Sequence, residues 1–275
     1  MAFLQRHTLT AHQQQYKQLK ESGKSMCYYN GIRVTREQYL LLKGIEKQIG
    51  KQKLSNRPIQ SGFAYTQWPI LKALPGGEDF EVVEAHWEFI APWCSNWKAV
   101  EEGRKKYTTL NAIGETLLES KLFRDAALHR RCLVLSSGFY EWRHYKATGT
   151  KKAETYPYHI GMAGSPIFYM AGIWQPWTDR STGETIDTFA IVTTAANGLM
   201  QQIHNTKKRM PLILPEALAA EWLLGDISEG RMKELVQFQV DSSTMAAWPV
   251  AKDFRTSEQP EQEAVYAELP PLELV

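Results

Sequence analysis

Three cysteines and one glutamate set between aromatic residues are where chemistry could start in this 275-residue chain. Cys27, Cys94 and Cys132 lie far apart, with no CxxC and no Cys/His pair at ligand spacing. This pattern argues against a zinc site and a disulfide framework and leaves free thiols. Most free thiols are inert core residues, so reactivity at any of them needs separate grounds. A second candidate sits in the segment Arg130-Arg131-Cys132-Leu133-Val134-Leu135-Ser136-Ser137-Gly138-Phe139-Tyr140-Glu141-Trp142. Here an apolar strand breaks at Ser-Ser-Gly and resumes with Glu141 between Tyr140 and Trp142. A carboxyl in partly desolvated surroundings has a raised pKa and suits proton transfer; the competing reading is an outward-facing strand carboxylate in water.

The elements that must position these groups follow from pattern and turn chemistry. Residues 1–25 are rich in Gln and Lys and read as a frayed helix or disordered arm, without the apolar core of a signal peptide. Thr35 and Gln38 have capping-box spacing, and Leu42, Ile45 and Ile49 share one helical face, which predicts a helix from Thr35. Residues 59–71 and 80–87 read as strands around a Pro75-Gly76-Gly77 turn, and a helix is expected over 114–127. Strands are expected at 132–145, 156–162, 167–177, 188–196 and 209–214, with helices near 197–204, 216–224 and 229–237. Strand runs with segregated helices indicate an α+β fold, predominantly antiparallel curled sheet or barrel with peripheral helices. The expected organisation is a leader at 1–25, one domain at 26–252, and an acidic, poorly packed tail at 253–275.

No apolar run approaches the ~18 residues of a membrane span, so the expected location is cytoplasmic, with no membrane partner. From Asp253 onward there are six acids and one base, so residues 1–252 carry 31 bases against 24 acids, or +7. A moderately basic body suits an anionic partner.

Several blocks, in order, resemble the SRAP family (SOS response-associated peptidases, the abasic-site processing proteins). Met26-Cys27 resembles the family start MCGR, Trp87–Trp93 resembles WGLIPSW, and Asn111–Thr116 resembles NARSET. Arg130–Trp142 is similar to RRCLVPADGFYEW, Ala171–Trp174 to AGLW, and Phe189–Asn197 to FTILTTAAN. Ile203-His204 with Arg209–Leu214 resembles IHxRMPVIL. The blocks span about 26–214.

The resemblance implies covalent capture of abasic sites in single-stranded DNA through an N-terminal cysteine exposed by removal of the initiator Met. A ring-opened abasic sugar is an aldehyde. A 1,2-aminothiol traps it because the α-amine forms a Schiff base and the neighbouring thiol closes a thiazolidine, with both nucleophiles on one residue. By motif, Cys27 is the nucleophile, Asn111 orients its amine and the sugar, Glu141 is the general acid/base and His204 shuttles a second proton. Arg209 contacts phosphate and Trp93 stacks on bases beside the lesion. The chemistry needs no cofactor or metal, and a monomer is expected.

The chain departs from the family pattern at several points. Tyr28-Tyr29 stands for Gly-Arg, Ile113 for an arginine, and Tyr65 for a proline of the DNA-facing shelf. Four residues rather than one separate His204 from Arg209, including Lys207 and Lys208. With two family arginines replaced, Lys207, Lys208 and Arg33 become the candidate phosphate contacts. The 25 residues before Met26 would block the α-amine, so translation from Met26 or proteolytic removal, by the protein itself or otherwise, is required. The competing activities are a cysteine peptidase, which needs no free amine, and a non-covalent DNA-binding relative.

Overall fold

A computed structural model describes residues 28–33, 38–42, 45–49 and 56–273. Strand β1 (Tyr29–Ile32), the hairpin β2 (Gln38–Leu42) and β3 (Ile45–Ile49), and β4 (Arg57–Ser61) come first. They are followed by β5 (Gln67–Ala73), β6 (Phe80–Trp87), helix α1 (Trp97–Arg104), the short β7 (Asn111–Ile113) and helix α2 (Arg124–His129). The centre of the chain supplies β8 (Arg131–Ser136), β9 (Gly138–Tyr145), β10 (Glu154–Met162), β11 (Phe168–Thr178) and β12 (Thr185–Ala195). Helix α3 (Gly198–Ile203), β13 (Arg209–Pro211), β14 (Ile213–Leu214), α4 (Glu216–Leu224), α5 (Glu229–Leu235) and β15 (Met245–Pro249) complete the order.

Strands β12, β6, β5, β8 and β11 form a closed ring, because β11 pairs with both β8 and β12. Within that barrel only the β6–β12 contact is parallel. β7 and β13 add to β12, and β14 adds to β11. A second, antiparallel sheet in the order β15-β10-β9-β1-β4 leans on the barrel. The expected α+β fold built on antiparallel barrel and sheet is therefore correct.

The barrel strands are buried along most of their length, as their Val/Ile/Leu/Phe content requires. Trp68, Trp87 and Phe189 pack as neighbours, with ring centroids 6.0 and 6.2 Å apart. Each indole finds a backbone carbonyl, Leu135 for Trp68 and Leu110 for Trp87, so burial leaves neither N–H unpaired. Helix α4 closes the outside, its Trp222 donating between the carbonyls of Cys132 and Gly172. Cys132 is fully buried and Cys94 nearly so, and burial raises both thiol pKa values, which leaves them inert.

Several expected elements are corrected. In place of a helix from Thr35, the described residues form the β2–β3 hairpin, in which Leu42 pairs with Ile45 across Lys43-Gly44. A glycine costs a helix interior ~1 kcal/mol and suits a two-residue hairpin connection. The helix over 114–127 is reduced to a single turn at Gly114–Thr116 and to α2. Ser120 interrupts it, because its hydroxyl accepts from the amides of Leu122 and Phe123. The strand over 59–71 divides at a 3-10 turn, Gly62–Ala64, where the chain leaves the second sheet for the barrel. Segment 132–145 divides at Ser137 into β8 and β9, as Ser-Ser-Gly foretold. The tail is not loosely packed: Phe254 is buried and Tyr266, Leu269 and Leu272 lie against the core. Residues 1–25 lie outside the described residues.

Candidate active site

Glu141 is the fourth residue of β9, and pleat alternation turns it away from the face of Tyr140 and Trp142. Gly138, at the strand's start, permits close approach of the neighbouring strand: a Cβ there would sit 2.1 Å from Nε2 of His159. Glu141 is 1% exposed, and neither carboxyl oxygen has a hydrogen-bond partner among the described residues. Burial pushes its pKa to about 8, opposed weakly by the Lys207 ammonium and the Trp142 amide. The raised pKa favours the protonated acid at neutral pH. The outward-facing reading is excluded.

His204 caps the C-terminal end of α3 and is fully buried. Its Nδ1 lies 2.8 Å from the Arg209 carbonyl, which can only accept, so Nδ1 carries the proton. Nε2 is left as an acceptor with no partner among the described residues. Burial lowers the imidazole pKa; the Arg209 carbonyl pulls it back up, and the charges of Lys207, His144 and Arg209 act with burial. The ring is neutral at physiological pH, with one nitrogen free to take a proton.

Two contacts bring these groups to one place. The Lys207 charge acts on both Glu141 and His204. Asn205 exchanges two hydrogen bonds with the His144 backbone, at 3.1 and 2.7 Å, fixing the segment after α3 to β9 three residues beyond Glu141. Lys208 holds the same segment in a left-handed conformation (φ 53°), its carbonyl accepting from Ala196.

Asn111 begins β7 opposite Ile191 and is 9% exposed. Its neighbour Leu110 touches Gly62, whose amide donates to the Tyr28 carbonyl at 2.7 Å. Cys27 lies outside the described residues. The β1–β9 register pairs Tyr29 with Tyr140, so the next position, Tyr28, falls level with Glu141. Tyr28 thus lies beside Glu141, and the Lys207 charge reaches both Glu141 and His204.

The candidate phosphate contacts divide into two kinds. Lys207 and Lys208 are exposed and enter no ion pair among the described residues. Arg209 instead makes a bidentate pair with Glu115, 2.7 Å at each oxygen, and donates to the Thr193 carbonyl. The Arg33 guanidinium is 2.6 Å from the Glu261 carboxylate. Trp93 is half-buried and packed against the core. Sequence reasoning quoted Glu115 in its block but missed it as the partner of Arg209, 94 positions away. It also missed Asn30, buried beside the site with Oδ1 accepting from Ser136 at 2.6 Å and from the Gly31 amide. Nothing in the short segment Tyr29-Asn30-Gly31-Ile32 marked it as buried.

Among the described residues no group of three or more His, Cys, Asp or Glu is placed to hold a metal ion. No described helix is long and apolar enough to cross a membrane.

The family model for SOS response associated peptidase (SRAP) matches residues 7–257. The abasic site processing protein YoqW of Bacillus subtilis is 30% identical over 182 residues, 66% of this chain and 75% of that one. The abasic site processing protein YedK of Escherichia coli is 28% identical over 230 residues, 82% and 93% of the two chains. A crystal structure of a Bacteroides thetaiotaomicron protein superposes with a TM-score of 0.69 at 29% identity, covering 87% of this chain and all of the other. With the family model covering most of its length, this chain belongs to the SOS response associated peptidase family.

Proposed function

We propose that this protein captures ring-opened abasic sites in single-stranded DNA as a covalent adduct of Cys27. The observation that carries the reading is Glu141: a buried carboxyl with no hydrogen-bond partner for its oxygens among the described residues, its pKa raised by burial, level with the residue that follows Cys27. A free α-amine, with a pKa of roughly 7.7–8.0, is partly neutral at physiological pH and adds to the sugar aldehyde. The resulting carbinolamine loses water when Glu141 protonates its hydroxyl, giving an iminium ion. The Cys27 thiolate then adds to the same carbon and closes the five-membered ring. The carbinolamine hydroxyl carries the proton given up by the ammonium of the first step. His204 Nε2 accepts the thiol proton and returns it through solvent to the Glu141 carboxylate, so both groups regain their starting forms. The net change is amine, thiol and aldehyde to thiazolidine plus one water.

Membership of the family, whose relatives YoqW and YedK are named abasic site processing proteins, supports the substrate class. Lys207 and Lys208 hold the strand by phosphate, since Arg209 and Arg33 are already committed to carboxylates. An amide nitrogen at Cys27 is not nucleophilic, so the reaction requires Cys27 at the N-terminus. That exposure comes from translation at Met26 or from removal of the preceding residues. Protein verified by mass to begin at Cys27 is expected to give a shifted band on a denaturing gel with an abasic single strand. No band under those conditions sinks the proposal.

A further inference from the structure

The C-terminal segment runs back over the second sheet as a strap. Phe254 stacks on Tyr140 with centroids 4.8 Å apart, the Glu261 carbonyl accepts from Trp248 at 2.7 Å, and Tyr156 donates to Glu268 at 2.8 Å. Residues 258–273 lie beyond the range matched by the family model, yet the end of the strap grips the two elements that carry Glu141 and His204.

On β9, Arg143 follows Glu141 by two residues and shares its face. Arg143 is buried, and its guanidinium donates to the Pro270 carbonyl at 2.7 Å and to the Tyr158 hydroxyl at 3.2 Å. Tyr158 is paired directly opposite Glu141. On α3, Gln202 precedes His204 by two residues. Its amide donates to the Glu273 carbonyl at 2.7 Å, and its oxygen accepts from the Glu273 amide at 2.8 Å. Elsewhere the strap stands off the sheet, leaving a groove of about 370 Å³ lined by Tyr158, Leu199, Trp248, Tyr266 and Leu269 among others. Leu269 and Leu272 pack against the core, and the hydrogen bonds to Arg143 and Gln202 fix the register of the strap's end. A six-residue helix such as α3 has little stability of its own, so tertiary contacts set its position.

We propose that the C-terminal strap is a positioning element of the catalytic site, holding Arg143 and Gln202 together and so fixing Glu141 relative to His204. The inference rests on the acid/base roles proposed above. Misplacing reacting groups by about 1 Å can cost ~10²-fold in rate, so partial loosening is expected to cost about tenfold.

The test uses the full chain from Cys27 in two forms, Gln202→Ala and Gln202→Ala with Arg143→Lys. Alanine suits a partly exposed helical position, so the single variant keeps the fold and decides the matter if the double variant does not fold. Single-turnover adduct formation is expected to slow about tenfold in the double variant, with the Kd for intact single-stranded DNA unchanged within twofold. A second readout, independent of the chemistry, is the carboxyl ¹³C titration of Glu141. Lys207, from the segment after α3, acts on Glu141; Arg143 shares its face of β9, Tyr158 is paired opposite on β10, and His144 of β9 acts on His204. With those kept or conserved in charge, admission of water is expected to lower the titration midpoint. If the parent forms adduct and neither rate nor midpoint moves in either variant, the strap has no positioning role. If the midpoint moves but the parent forms no adduct, the abasic-site reading fails and the strap stands.

Discussion

Replacing Glu141 by Gln should stabilise the protein while slowing its chemistry, and the stabilisation should depend on pH. An ordinary carboxyl at 4.5 is raised to about 8 here by burial. At ~1.36 kcal/mol per tenfold change in proton affinity, the full effect is about 5 kcal/mol. The folded pKa is the higher one, so the neutral acid is tolerated below pH 4.5, and stability is lost progressively as pH rises through the folded pKa. The loss is under about 1 kcal/mol at pH 5, about 3 at pH 7 and about 5 at pH 9. Gln keeps the shape and stays neutral throughout, so it escapes this loss. Unfolding free energies of the two proteins from urea titration should differ by under about 1 kcal/mol at pH 5 and by about 3 kcal/mol at pH 7, with equal m-values. Loss of the transferable proton should slow adduct formation ~10²–10⁴-fold. A stability difference that does not change with pH would show that Glu141 is hydrated or paired, and the account of its role would fail.

Other predictions address the strand-binding face and its scaffold. Lys207→Ala with Lys208→Ala should reduce the slope of log affinity against log salt by about 1.4, at ~0.7 per phosphate on single strands; fluorescence anisotropy across a salt series measures it, and an unchanged slope moves the groove elsewhere. Trp93→Ala should weaken binding to intact and abasic strands alike by ~1–3 kcal/mol, and equal affinities would assign Trp93 to packing alone. Glu115→Gln should lower stability by roughly 1.5 kcal/mol, near the bottom of the range for charged hydrogen bonds because Glu115 is about a third exposed. The same change frees Arg209, so DNA affinity should rise at low salt; a fall would show that Arg209 needs its partner in order to bind.

What could be read from the sequence was local. β6 and α4 fall where alternation and helical spacing put them, at Phe80–Trp87 and Glu216–Leu224. The break at Ser136-Ser137-Gly138 was visible because glycine and serine punctuate strands, and the aromatic neighbours of Glu141 pointed to its desolvation. Helix α1 was missed although Asn96 caps it, accepting from Ala99, because no apolar stripe announces it. The β2–β3 hairpin was mistaken for a helix because Leu42, Ile45 and Ile49 satisfy a helical period by chance of spacing. Partners distant in sequence had no local trace. Glu115 and Arg209 meet only because β7 and β13 both join β12, and the acidic tail reads as a solvated tail until Arg143 and Gln202 are seen to hold it.

The Cys27 α-amine is the nucleophile of the proposed reaction, and intact mass tests this most directly. Two forms of the chain, one beginning at Cys27 and one retaining residues 1–26, should be incubated with an abasic single strand and weighed intact. The trimmed form should gain the mass of the oligonucleotide less one water, and the longer form should gain nothing while its leader remains attached. Equal adduct from both, with the leader shown by mass to be present, would contradict the amine mechanism and point instead to an internal thiolate.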